Sequence, residues 1–286
     1  MTKRENPRRR EREFNKFQER NNKFQDRRDD RKEKNNTSNE SMREDLIIGR
    51  NAVIEALKSD RTIECVYVSK GDLEGSIKVA LGLAKDRGVV IKEADRRKLD
   101  TMCDRLNHQG IVARVTPFKY CEVNDILEDA KRKEQQPFIV ILDEIEDPHN
   151  LGSIIRTAET AGVHGVIIPK RRAVSVNSTV NKVSAGAVEH MKIARVTNIS
   201  DSIEKLKEAG LWICGTDINT EKYYYNQDLT GPLAIVIGNE GNGLTDEIIA
   251  TASFNVNIPM SGEVESLNAA VATSILCFEA SRQRRM

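Results

Sequence analysis

The chain is poor in the residue patterns that support disulfide, metal or membrane chemistry. Its five cysteines are odd in number, widely spaced and free of any Cys-x-x-Cys pair, so we expect neither a disulfide framework nor a zinc site. The four histidines are not spaced as metal ligands. No run approaches the roughly 20 apolar residues of a membrane span, and no signal-peptide core follows the start. These absences favour a reducing cytoplasm, with neither a membrane nor a metal as partner.

Signatures of common nucleotide-binding and hydrolytic enzymes are also missing. The chain has no Gly-Lys-Ser/Thr phosphate loop and no Gly-x-Ser-x-Gly elbow. Its glycine cluster, Gly238-x-x-Gly241-x-Gly243, differs from the dinucleotide fingerprint. A pocket built from amides, backbone, one arginine and one carboxylate fits a cofactor that brings its own reactivity.

The first 41 residues have no Leu, Ile or Val, and they hold 14 Lys/Arg against 9 Asp/Glu. Such a segment cannot bury enough apolar surface to offset its ordering entropy, so we expect residues 1–41 to be a disordered basic tail. Arginine runs interleaved with Phe14, Phe17 and Phe24 fit transient contact with RNA. A merely solubilising tail fits the composition equally well.

The rest of the chain alternates β-rich runs with helical apolar periods, which is typical of the α/β class. Residues 42–118 predict a small α/β sandwich, and residues 119–136 predict a polar linker with one amphipathic helix. Residues 137–286 predict a second α/β unit built on a parallel sheet.

Three loops of the second unit carry polar residues where predicted strands end. Residues 233–237 are uniformly apolar and predict a strand buried on both faces, directly before the three glycines. Asn150 is a candidate N-cap, which places Arg156 between one and two turns inside the following helix. The last helix is predicted from about residue 265, with Ser266 and Asn268 in its first turn. Ligands bind outside the carboxyl ends of strands in open α/β sheets, so we expect a binding crevice there.

These loops contain three motifs that resemble, in order, the signatures of the SpoU family of RNA ribose 2′-O-methyltransferases. The motifs are Asp147-Pro-His-Asn-Leu-Gly-Ser-Ile-Ile-Arg156, Ile237-Gly-Asn-Glu-Gly-Asn-Gly-Leu244 and Ile258-Pro-Met-x5-Ser-Leu-Asn-Ala-Ala-Val-Ala272. The resemblance covers the chain from about residue 137 onward. The first unit contains Gly49-Arg-Asn-Ala-Val-Ile-Glu-Ala-Leu57 and His108-Gln-Gly110. With these residues it is similar to the ribosomal-protein-like substrate-binding domain of the bacterial enzymes that methylate a guanosine ribose in the peptidyl-transferase region of 23S rRNA.

The resemblance implies S-adenosylmethionine as methyl donor, 23S rRNA as substrate, a homodimer, and a trefoil knot in the second unit. By position it implies that the cofactor is held by Gly238, Asn239, Ile258, Met260 and Leu267. It implies that the catalytic set is Asn150, Arg156, Glu240, Ser266 and Asn268.

The role of Arg156 stays open at this point. Family accounts make it the general base, yet a guanidinium keeps its proton at neutral pH. We favour Arg156 as a clamp that stabilises the developing alkoxide, oriented by Glu240. The rival functions are a tRNA ribose methyltransferase, an rRNA-methylating resistance enzyme and a non-enzymatic ribosome assembly factor.

Overall fold

The computed structural model of the protein describes residues 44–71, 75–239, 241–263 and 266–286. Two predictions fall outside these ranges, namely the disordered tail over residues 1–41 and the catalytic role of Glu240. Within the described part, no helix has the length and apolar character needed to span a bilayer. The same residues contain no group of three or more His, Cys, Asp or Glu side chains placed to hold a metal ion.

The first part of the described chain forms a four-stranded sheet in the order β1-β4-β2-β3. Its strands are β1 (Leu46–Ile48), β2 (Ile63–Ser69), β3 (Val90–Ala94) and β4 (Ile111–Val115). Strand β4 is antiparallel to β1 and β2, and β3 is parallel to β2. Its helices are α1 (Arg50–Lys58), α2 (Ser76–Asp86) and α3 (Arg96–Met102). The apolar residues of α1 and α2 pack on one face of the sheet, and Leu99 of α3 packs on the other.

The second part forms a six-stranded sheet in the order β10-β8-β9-β5-β6-β7, in which every neighbouring pair is parallel. Its strands are β5 (Phe138–Leu142), β6 (Gly165–Pro169), β7 (Lys192–Val196), β8 (Trp212–Thr216), β9 (Leu233–Ile237) and β10 (Phe254–Val256). All five residues of β9 are buried, as are all five of β5. This confirms the prediction of an α/β fold with a parallel sheet, whose central strands are apolar because both faces are covered.

Helices cover both faces of this sheet. On one face lie α4 (Val123–Arg132), α7 (Ile199–Glu208) and α8 (Asp246–Thr251). On the other face lie α5 (Pro148–Ala161), α6 (Ser178–Val183) and α9 (Ala269–Arg284). Alternate residues of β5 enter the two cores: Val140 packs with α5 and α9, whereas Ile141 packs with α4 and α7.

The start of α5 differs from the prediction. Asp147 is its N-cap, because the Asp147 Oδ1 atom accepts a hydrogen bond from His149 N at 2.9 Å. Pro148 occupies the first helical position, where its missing N–H costs nothing. Asn150 as the N-cap was therefore wrong: it lies inside the first turn and is buried. The earlier start places Arg156 more than two turns inside the helix.

The start of α9 also differs. Asn268 is the N-cap, and its Oδ1 accepts hydrogen bonds from Ala270 N at 2.9 Å and Val271 N at 3.4 Å. The helix begins at Ala269, so Ser266 precedes it and the placement of Ser266 and Asn268 in the first turn was wrong. Asn268 thus satisfies free N–H groups at the helix start, while Ser266 belongs to the loop that leads there.

Side chains of the two sheet regions meet in a small polar interface. Arg61 Nη1 donates to Glu189 Oε1 at 2.5 Å, and both side chains are buried. Ser175 Oγ donates to Glu44 Oε1 at 2.7 Å. The connecting chain runs along β7, where Cys121 N donates to Ile193 O at 2.9 Å. Separating a buried ion pair leaves unpaired buried charges, which is unfavourable in free energy. Arg61 and Glu189 therefore fix how the two sheet regions pack against each other.

Candidate active site

A cavity of about 450 Å³ lies at the carboxyl ends of β8, β9 and β10, and we call it the glycine-loop cavity. Its wall includes the five residues predicted to hold a cofactor and one member of the predicted catalytic set: Gly238, Asn239, Ile258, Met260, Leu267 and Ser266. Two of the three sequence motifs therefore meet around one space. Their meeting point is the edge of a parallel sheet where ligands usually bind.

At Gly238 the chain folds back closely on its own backbone. A Cβ atom at this position would lie 2.3 Å from Gly243 C and 2.4 Å from Leu244 N. Both neighbours are backbone atoms, so a side chain at residue 238 would displace the loop that forms the cavity wall. The local structure thus requires glycine here because of the close backbone approach.

Asn239 holds the same loop in place. Its backbone carbonyl accepts from Gly243 N at 2.8 Å, and its Oδ1 accepts from Gly241 N at 2.8 Å. Its Nδ2 donates to Glu144 O at 3.1 Å, which ties the loop to the segment after β5. Asn239 therefore stabilises the cavity wall as well as lining the cavity.

The charges of the glycine-loop cavity are all of one sign among its described residues. Asp217 and Asp246 line it, and no described lysine or arginine does. The remaining described wall is amide, hydroxyl, backbone and apolar. Such a cavity disfavours a phosphate-bearing ligand and favours one with positive charge.

Asn150 and Asn268 of the predicted catalytic set are in direct contact. Asn268 Nδ2 donates to Asn150 Oδ1 at 2.9 Å, which joins the start of α9 to the first turn of α5. The same two helices are linked further along by a hydrogen bond between Thr157 Oγ1 and Ser274 Oγ at 3.0 Å. Neither asparagine lines the cavity itself.

Arg156 lies on the exposed face of α5 and does not line the glycine-loop cavity. The pairing with Glu240 that we predicted for it involves a residue outside the described ranges. The structure therefore brings Ser266 to the cavity and Asn150 to Asn268, and it places Arg156 on α5 with its side chain open to solvent.

One wall of the cavity consists of residues that were not predicted from the sequence to belong to the site. Residues 216–219, at and after the end of β8, line it together with Asp246 and Asn257. Asn257 Nδ2 donates to Ile218 O at 3.1 Å and so fixes this wall to the end of β10. The available signal was the polar segment Asp217-Ile-Asn219, which closely follows the β-rich run Trp212-Ile-Cys214, at the same end of the sheet as the glycine loop.

One carboxyl group behind the cavity has a shifted pKa. Burial raises the pKa of Asp143 above its ordinary value, and the neighbouring Glu144 raises it further. Asp143 N donates to Ile237 O at 2.9 Å, so this residue lies beside the last residue of β9. Both effects disfavour the charged carboxylate.

Comparison with known proteins identifies the family. The sequence profile of the SpoU rRNA Methylase family matches residues 137–278. A second profile, described as RNA 2′-O ribose methyltransferase substrate binding, matches residues 46–121. YacO of Bacillus subtilis, assigned by name to the TrmH family of tRNA/rRNA methyltransferases, is 46% identical over 244 residues, which are 85% of this chain and 98% of YacO. The chain belongs to the SpoU family of RNA methyltransferases.

Solved structures agree with this assignment to the SpoU family. An AdoMet-bound rRNA methyltransferase from Sinorhizobium meliloti is 30% identical, with a TM-score of 0.70 over 83% of this chain and 86% of that one. The SpoU methyltransferase AviRb from Streptomyces viridochromogenes, solved with AdoMet, is 25% identical, with a TM-score of 0.70 over 84% of this chain and 90% of that one. The glycine-loop cavity lies wholly within the segment that matches the SpoU profile.

Proposed function

We propose that this protein transfers a methyl group from S-adenosylmethionine to a ribose 2′-oxygen of RNA, and that its target is a guanosine in the peptidyl-transferase region of 23S rRNA. The main support for this reaction class is the glycine-loop cavity. Its described wall is acidic and glycine-rich, and it lies inside the segment that matches the SpoU family. Two structural relatives from the same family were solved with AdoMet.

The described residues of the cavity fit this cofactor. A volume of about 450 Å³ is within the usual range for small-molecule sites. Asp217 and Asp246 give the described wall negative charge, which suits a ligand whose sulfonium and ammonium groups outweigh its single carboxylate. Ile258, Met260 and Leu267 supply apolar surface for its adenosyl part. When bound, S-adenosylmethionine would supply an electrophilic methyl on a sulfonium.

The predicted catalytic residues would orient the acceptor ribose and stabilise charge on its oxygen. Asn150 is buried and bonded to Asn268, so its amide group is fixed before RNA arrives. Such pre-positioning can lower a barrier by several kcal/mol, with about 7 to 11 in the best cases. Arg156 would act as a fixed positive charge next to the acceptor and its phosphate, oriented by Glu240, with Ser266 at the cavity wall.

The substrate part of the proposal rests on the first sheet region. Residues 46–121 match a profile for RNA substrate binding, and one structural relative carries the name rRNA methyltransferase. We propose the domain limits 42–118 for substrate binding, 119–136 for the linker and 137–286 for methyl transfer. A tRNA ribose is the second candidate substrate, because the name of YacO includes both tRNA and rRNA.

We further propose that the enzyme is a homodimer and that its methyltransferase domain contains a trefoil knot. Val271 and Phe278 support the dimer, because they lie two helical turns apart on α9 and are 46% and 50% exposed. Large apolar side chains repeated on one exposed helix face commonly mark a protein interface.

The proposal is tested by mapping 2′-O-methyl groups on 23S rRNA and tRNA by primer extension, in cells with and without the gene. We expect one ribose methyl in 23S rRNA to disappear with the gene and return when it is restored. Loss confined to tRNA would replace the target with the second candidate. Unchanged methylation of both RNAs would overturn the proposed function.

A further inference from the structure

A second cavity, of about 460 Å³, lies at the carboxyl ends of β6 and β7, and we call it the β6–β7 cavity. Three basic residues from three different elements line it: Lys170 follows β6, Arg195 belongs to β7 and Lys205 lies on α7. The described wall of the glycine-loop cavity contains no such residue, although both cavities open on the same edge of the sheet.

Arg195 is held in one orientation within this cavity. Its guanidinium carbon lies 4.9 Å from the centre of the Tyr120 ring, and its Nη2 donates to Lys170 O at 3.2 Å. Its Nε is buried and has no hydrogen-bond partner in the described part of the chain. A cation fixed in this way loses little side-chain entropy when an anion binds.

The two acidic residues in the described wall of the β6–β7 cavity lie at helix starts. Glu122 is the N-cap of α4, and its backbone N donates to Asp125 Oδ2 at 2.8 Å. Asp201 Oδ1 accepts from Asn198 Nδ2 at 3.1 Å, next to the start of α7. Three basic residues against two acidic ones leave the described wall net positive.

The position of the cavity indicates which anion it would take. Strands β7 and β9 are separated by three strand-to-strand steps in the sheet, which is about 14 Å at the usual strand spacing. An RNA strand that runs along this end of the sheet, with one ribose at the glycine-loop cavity, can bring a phosphate within reach of Lys170 and Lys205. The acidic wall around the glycine-loop cavity repels those phosphates, so a cationic site further along the edge would position the strand.

We propose that the β6–β7 cavity binds a backbone phosphate of the substrate RNA, on a nucleotide flanking the one that is methylated. This rests on the proposed function, which supplies RNA as the substrate. Lys170, Arg195 and Lys205 are the positioning residues, and the contact is to phosphate, so it carries no base specificity.

The test uses the full-length protein and in vitro transcribed 23S rRNA as the probe. We compare Lys170→Gln and Lys205→Gln with Lys207→Gln, a control that removes the same charge from the same helix outside the cavity. Arg195 is left intact because it also holds Tyr120 and the Lys170 carbonyl. The readouts are the salt dependence of RNA affinity, the affinity for S-adenosylmethionine by calorimetry, and the transfer of labelled methyl to the RNA.

Each cavity variant should lower the slope of log affinity against log salt, and their combination should lower it by about 0.7, the value for one phosphate of a single strand. The control should keep the wild-type slope, and all variants should bind S-adenosylmethionine normally. Wild-type slopes in both cavity variants, or an equal loss in the Lys207→Gln control, would overturn the inference. If the wild type methylates the RNA but the cavity variants keep the wild-type salt slope of RNA affinity, only this phosphate site is contradicted. If the variants change the salt slope but no protein transfers a methyl group, only the proposed function is contradicted.

Discussion

The side chains of Asn150 and Asn268 are joined by a 2.9 Å hydrogen bond between the first turn of α5 and the N-cap of α9. Asn268 therefore has two tasks. Its Oδ1 caps α9 through Ala270 N, and its Nδ2 orients the buried Asn150. If the proposed catalytic set is correct, stability and catalysis depend on different atoms of one amide, and substitution can separate them.

Asn268→Ala removes both atoms and should lower the free energy of unfolding by about 1 kcal/mol through loss of the cap. Asn268→Asp keeps a capping oxygen but cannot donate to Asn150, so it should retain the part of the stability that the cap supplies. Both variants should lose methyl-transfer rate, by about fivefold for one hydrogen bond. Urea unfolding and transfer of labelled methyl to rRNA measure the two effects. An Asp variant with the wild-type rate would show that Asn150 needs no orientation by Asn268.

Gly238→Ala should weaken binding of S-adenosylmethionine by more than about tenfold, or about 1.4 kcal/mol. The reason is that a Cβ atom there would meet the backbone of Gly243 and Leu244 at less than 2.5 Å. Gly241→Ala is the matched control, since its Cβ would meet only the Asn239 Oδ1 atom, at 3.3 Å. Isothermal titration calorimetry compares them. Equal affinities for the two variants would contradict the role of Gly238 in shaping the cavity.

Arg156→Lys should keep most of the methyl-transfer rate, while Arg156→Ala should lose it, because a fixed charge near the acceptor oxygen is what the reaction needs. The exposed position of Arg156 on α5 makes both variants tolerable for the fold. Single-turnover rates across a range of pH provide the measurement. If Arg156→Lys instead shifts the pH dependence of the rate, a titrating base at this position becomes the better explanation.

Phe278→Glu should convert the proposed dimer into a monomer, because it places a charge on an exposed apolar face of α9. Val79→Glu is the control, since Val79 is 54% exposed on α2 and lies in the first sheet region. Light scattering coupled to size-exclusion chromatography gives the mass of each variant. A wild-type protein that is already monomeric would contradict the proposed dimer.

The strands of the second sheet were largely predictable from the sequence. Residues 138–142 and 233–237 are uniformly apolar because helices cover both faces of the sheet, and the observed strands have these same limits. The short strand Leu46–Ile48 was not predicted, since three apolar residues carry too little periodicity. Its partner, Arg114 to Val112 of β4, lies far along the chain.

The candidate site was predictable in composition more than in geometry. One cavity is lined by residues of the glycine motif together with Ile258, Met260 and Leu267, as predicted for the cofactor site. The starts of α5 and α9 were misplaced because capping depends on which side-chain oxygen reaches a free N–H group, and Asp147 competes with Asn150 for that position. The wall formed by Asp217 and Asn257 exists because β8 and β10 are paired in the sheet. The order of strands in a sheet cannot be read from local sequence.

The most direct measurement is transfer of a labelled methyl group from S-adenosylmethionine to 23S rRNA by the purified protein, followed by alkaline hydrolysis. A 2′-O-methyl group blocks cleavage of the adjacent phosphodiester, so we expect the label in alkali-resistant dinucleotides that contain guanosine. The label should decrease with Gly238→Ala and vanish with Arg156→Ala. Label found only in mononucleotides would place the methyl on a base, and this result would contradict ribose 2′-O-methylation as the function of the protein.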